Sequence, residues 1–151
     1  MTKILLSLHV LAAVIAIGPV TVAASMFPPA ARRAASGPTG TGAVALLHRI
    51  CRVYAGAGLT VPLLGFATAA AMGVLGSGWL VTSIALTAAA AGILIAFVLP
   101  RQEELLGQLK DERAVDRRST ARLAMFTGIF NLLWATVTVL MIVRPGSTTG
   151  A

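Results

Sequence analysis

Charge is what this sequence has least of. Only 11% of its 151 residues are Asp, Glu, Lys or Arg, against about one quarter in soluble domains. Acids are scarcest: Glu103, Glu104, Asp111, Glu112 and Asp116 are all of them, and they fall in one stretch. No long apolar run contains a carboxylate, which disfavours a proton-coupled carrier built on a membrane-embedded acid and leaves no carboxylate pair for acid–base chemistry. Cys51 is the single cysteine, so no intrachain disulfide can form. There is no phosphate loop and no His-Glu-x-x-His zinc motif. His48 and Cys51 are three apart and share a helix face, but no second pair completes a tetrahedral zinc site. Ser25, Ser77 and Ser83 lie near the ends of apolar runs, away from any histidine of matching depth. The chain therefore presents no catalytic set and no metal cluster, and an enzyme is the disfavoured class.

What is present is apolar. Hydrophobic residues make up 57% of the chain, and the mean hydropathy is +0.88. In water such a surface would aggregate; in lipid it is solvated. A spanning helix needs about 20 apolar residues at about 1.5 Å per residue. Ile4 to Phe27 meets this, as does Leu123 to Val143. Val53 to Pro100 is twice the needed length and is interrupted by Gly76-Ser77-Gly78, a turn signal. The expectation is an all-α, polytopic membrane protein, an antiparallel four-helix transmembrane bundle. It forms one domain with spans at about 4–27, 53–75, 79–99 and 123–143. Pro28-Pro29, Pro100 and Arg144-Pro145-Gly146 mark span ends, since proline lacks the N–H a continuing helix needs. Tyr54 and Trp79 sit where interfacial aromatics are expected.

The net charge of +7 sets twelve cations, two lysines and ten arginines, against five acids. Arg32, Arg33, Arg49 and Arg52 fall in loop 28–52; Arg101, Lys110, Arg113, Arg117, Arg118 and Arg122 fall in loop 101–122. Lys3 and Arg144 alone fall on the other side. Ten cations against two put both loops in the cytoplasm and both termini outside. Cations so placed argue against nucleic acid as a partner. A cleaved signal peptide, with its small residues ending at Ala23-Ala24-Ser25, would reverse this charge bias, so the first run is read as a span. The excess of arginine over lysine, with abundant Ala and Gly, suggests a GC-rich bacterial genome and hence the bacterial plasma membrane. Residues 34–42 read as a flexible linker, and the tail after Pro145 reads as disordered. Leu105, Leu106 and Leu109 recur at helical spacing and make loop 101–122 partly helical, a solvated extension of span three or a helix that docks a partner.

Helices in lipid associate through close backbone approach and hydrogen bonds. Gly65, Ala69 and Gly73 form one stripe of small residues, and Ala88, Gly92 and Ala96 another; these faces are expected to meet across the hairpin. Asn131 is expected to join helices by hydrogen bonding. Pro19 and Pro62 each free a carbonyl one turn earlier and favour a kink.

His9 is the candidate for chemistry. It lies inside the first span, where ionisable groups tend to face the bundle and carry function. It could ligate haem iron or another metal, or move a proton. His48 belongs to the opposite membrane edge, so the two histidines cannot clamp one haem within one chain.

Leu-Ser-Leu-His-Val-Leu-Ala-Ala-Val (6–14), a glycine at Gly18, and the closing Leu-Met-Ile-Val-Arg-Pro-Gly (140–146) resemble a bacterial family of four-span integral membrane proteins of unknown function. The opening helix also resembles the first helix of the copper-resistance D membrane proteins and the membrane-bound protoporphyrinogen oxidases. That resemblance implies a metal or haem association for His9. The Trp-x-Gly-Gly that follows such a histidine is replaced here by Ala16-Ile17-Gly18-Pro19. The leading expectation is a non-enzymatic accessory, interaction or small-molecule-handling protein, with the lipid bilayer and a second copy or a membrane-complex subunit as partners. The alternatives are a haem- or metal-linked redox protein using His9, and a dimeric transporter or channel.

Overall fold

A computed structural model describes residues 1–146; the tail expected to be disordered lies almost wholly outside them. The described chain is helical throughout: α1 (Thr2–Ala35), α2 (Thr41–Ala57), α3 (Thr60–Met72), α4 (Gly78–Ile93), a π turn (Leu94–Val98), α5 (Leu99–Lys110) and α6 (Arg117–Val143). Four helical stretches are long and apolar enough to cross a membrane: Thr2–Ala35, Thr41–Met72, Gly78–Lys110 and Arg117–Val143.

The first and third of these stretches run past their apolar runs, because two proline signals do not stop a helix. Pro28 and Pro29 lie inside α1. They remove two N–H donors, but Ala30 to Ala35 are Ala and Arg, strong helix formers, and Phe27, Ala31 and Ala34 are buried in the core. Packing holds the last turns where local propensity alone would break them. Pro100 likewise closes nothing. The π turn adds a residue just ahead of it, so the ring enters the first turn of α5, where a missing N–H costs little. Residues 34–42 hold the connection expected there, shortened to 36–40, because α1 runs to Ala35 and α2 begins at Thr41.

Pro62 does interrupt its helix. It cannot donate to the Gly58 carbonyl, and the chain breaks into two turn residues between α2 and α3. Thr60 Oγ1 donates to the Ala57 carbonyl at 2.8 Å and covers one orphan acceptor. Pro19 leaves α1 continuous. Gly73 ends α3 in the left-handed region at φ 68°, with Val74 N–H reaching the Ala69 carbonyl at 3.1 Å. It is a helix cap, not a packing residue. At α6 the Asp116 carboxylate accepts from the Arg118 N–H at 3.1 Å, an N-cap.

α1 is the hub. It packs against α2, α3, α5 and α6, and α4 packs against α6. Along α1, His9 meets Val61, Phe27 meets His48, Ser25 meets Asn131 and Arg32 meets Thr120. Phe97 stacks on Phe126 at 4.8 Å, and the Arg144 guanidinium lies over the Trp79 ring.

The expected pairing of small-residue stripes does not occur. α3 and α4 hardly touch. Gly65 backs onto His9 of α1 instead. Gly92 and Ala96 are exposed, as is Ala88, while Ala90, Leu94 and Val98 beside them are buried. The physical reason is that α4 is alanine-rich all round, and lipid solvates a small apolar face as readily as a helix does. Small-residue spacing there carries no information about helix phase.

Candidate functional site

The helix pairs divide the bundle into two halves. In one, α3, α1, α6 and α4 form a row of neighbours whose ends, α3 and α4, do not close on each other. In the other, α2 and α5 pack together and complete the ring. α3 and α4, consecutive in the chain, are thus parted in this half.

A cavity of about 850 Å³ fills the parted half, within the range of small-molecule sites. All four candidate spans line it, from His9 and Val10 on α1, through Gly65 and Thr68 on α3 and Ala88 on α4, to Val137 on α6. Its threonines add little polarity. Thr68, Thr87 and Thr138 donate their hydroxyls to carbonyls of their own helices at 2.7, 2.7 and 3.0 Å. Trp79 and Arg144 mark the rim, with the guanidinium 5.8 Å from the indole centroid. The cavity is thus an apolar chamber with one cation at its rim.

His9 is the buried histidine of this chamber, 9% exposed. Its Nδ1 lies 2.9 Å from the Val61 carbonyl oxygen. A carbonyl can only accept, so Nδ1 donates, and in the neutral ring Nε2 is the acceptor. The ring is wedged against α3 because position 65 is glycine: a Cβ there would sit 2.9 Å from His9 Cε1. Sequence singled out both residues but did not bring them together; Gly65 was assigned to a different neighbour.

The closed half holds a polar cluster. His48 Nδ1 donates to Gln102 Oε1 at 3.0 Å, and Gln102 Nε2 donates to Cys51 Sγ at 3.5 Å. All three are buried, and His48 Nε2 has no partner. The Phe27 ring meets His48 edge-on at 6.5 Å. Gln102 was absent from the sequence-based candidates. The signal existed: Gln102, Leu105, Leu106 and Leu109 fall on one helical face, and all four are buried. The partly helical segment, expected as a solvated extension of span three or a partner-docking helix, does extend that span, but α5 docks on α1 and α2 of its own chain.

No family model, no curated protein and no solved structure matches the chain. His9 and His48 face different halves. Their contacts on α1, at positions 9 and 27, are 18 residues apart, about 27 Å of helix. Among the described residues no three His, Cys, Asp or Glu side chains converge. Asn131 Nδ2 donates to Ser25 Oγ at 3.1 Å, a cross-link between α6 and α1.

Proposed function

We propose that the chain is a four-span bacterial plasma-membrane protein that holds an apolar or amphipathic small molecule around His9 without turning it over. The observation that carries this is the apolar cavity of about 850 Å³, lined by all four spans and parted between α3 and α4. A bilayer-dissolved ligand enters such a chamber sideways without crossing water. An anionic head is accommodated at Arg144, and Nε2 of His9 accepts one hydrogen bond from within.

The bundle is antiparallel in this reading. Contacts at 9 with 61, 27 with 48, 25 with 131 and 32 with 120 favour it, because rising numbers on α1 meet falling ones on its partners. The distribution of ten cations against two favours cytoplasmic loops and outer termini. A single cysteine introduced at Ser77 in a Cys51→Ala background should react with an impermeant thiol reagent added to intact cells. One introduced at Ser36 should react only after permeabilisation. The reverse pattern would invert the orientation.

The cavity is tested by mass spectrometry of small molecules that co-purify with the full-length protein in mild detergent. Ala88 lines the chamber from an exposed position, so Ala88→Trp fills it without entering the helix interfaces. Wild type should retain a discrete ligand, and Ala88→Trp should lose it. A retained mixture that mirrors bulk membrane lipid and is identical in the two proteins rejects the proposal.

One observation favours a second reading, a haem- or metal-linked redox protein. Metal-ligating histidines donate their other ring N–H to a carbonyl or carboxylate, and His9 does so to Val61 at 2.9 Å. His9 then supplies one ligand. Met72 and Met141 line the same cavity and offer thioether donors. An absorbance spectrum with metal analysis separates the readings: a chromophore or stoichiometric metal that His9→Ala removes selects the second.

A further inference from the structure

The closed half carries a second cleft, of about 450 Å³, between α2 and α5. Arg49, Arg52 and Lys110 line it, with His48, Val53 and Leu106, and no acid does. Among the described residues the sole ion pair is Arg113 with Asp111, at 3.6 Å, so the three cations have no acidic partner there. They converge because α5 docks on α2, held by the buried His48–Gln102 hydrogen bond of 3.0 Å. Gathering like charges around a concave surface raises the local potential and selects an anion.

Two further features narrow the anion. His48 is 6% exposed and its Nε2 is buried without a partner; with Nδ1 donating to Gln102, Nε2 serves a phosphoryl oxygen, which only accepts, as the second N–H of the imidazolium. Leu46 and Val53, 58% and 59% exposed, lie one turn to either side of Arg49 and give an apolar track from the cleft along α2. Cations in a cleft between spans, beside an apolar track, suit a phosphoryl head group with acyl chains. We propose that this cleft binds a phosphoryl group, supplied by an anionic phospholipid of the leaflet at that end. The proposal needs a bilayer around the helices but not a ligand around His9.

The test is native mass spectrometry of the full chain in mild detergent, titrated with phosphatidylglycerol, phosphatidylcholine or inorganic phosphate. The cleft variant is Arg49→Gln/Arg52→Gln/Lys110→Gln. The control, Arg117→Gln/Arg118→Gln/Arg122→Gln, removes equal charge from exposed positions outside the cleft. Phosphatidylglycerol should bind at least about tenfold tighter than phosphatidylcholine, a preference the cleft variant loses and the control keeps. If the triple variant does not fold, Lys110→Gln alone, at the exposed end of α5, should reduce the preference by about fivefold. Inorganic phosphate that displaces the lipid identifies the phosphoryl group as the feature recognised. Phosphate binding without any lipid preference upholds the site with a soluble anion as its ligand. Equal affinity for the two lipids with no phosphate binding overturns the proposal, as does an equal loss in the control.

Discussion

Gly65→Leu should unseat His9 and abolish ligand retention in the cavity. The first side-chain carbon at position 65 would fall 2.9 Å from His9 Cε1, 3.3 Å from Nδ1 and 3.6 Å from Nε2. The ring cannot easily retreat, because Nδ1 is tied to the Val61 carbonyl of the same helix at 2.9 Å. Either the hydrogen bond breaks or α3 moves away from α1. Overpacking by one methyl, as in Gly65→Ala, should cost about 1–3 kcal/mol, and leucine more. A double-mutant cycle isolates the cause. On a His9→Ala background, Gly65→Ala should be close to neutral, since the atoms it strikes are gone. Thermal unfolding in detergent, read beside ligand retention, measures both. Additive losses in the cycle would place the strain elsewhere than His9.

Phe27→Ala should be the most destabilising single truncation in the closed half. Phe27 is 0% exposed, the largest fully buried side chain, and its ring meets His48. Truncation leaves a void between α1 and α2 and should cost about 3 kcal/mol. The loss is one of packing more than of transfer, because lipid is as apolar as the core. Phe97 is the comparison: it stacks on Phe126 at 4.8 Å but is 43% exposed. Phe97→Ala should cost under about 1 kcal/mol, since lipid refills the space. Equal costs for the two would mean that the interior at Phe27 relaxes freely. Unfolding titrations in mixed micelles resolve the difference.

Both effects depend on contacts between residues far apart in sequence, and this is where sequence reasoning stopped. His9 and Gly65 were each conspicuous, one as an ionisable group in an apolar run and the other as a small residue at four-residue spacing. Their contact follows from the break ahead of Pro62 and from α3 lying on α1. The proline pair at 28–29 was legible as a local signal and misleading as a boundary. The deciding term was burial of Phe27, Ala31 and Ala34, which no local propensity contains.

The sequence by itself determined helicity, four stretches able to cross a membrane, and the gathering of cations into two segments. These follow from composition and run length, because a bilayer demands long apolar helices with satisfied backbones. It also determined the turn near Gly76-Ser77-Gly78 and the end of the last helix at Arg144. Only the tertiary structure decided which faces meet, that α3 and α4 part around a cavity, and that Gln102 belongs with His48 and Cys51. The physical reason is lipid itself: it solvates an apolar helix face as well as a neighbouring helix does, so hydrophobic pattern marks the spans but not their sides.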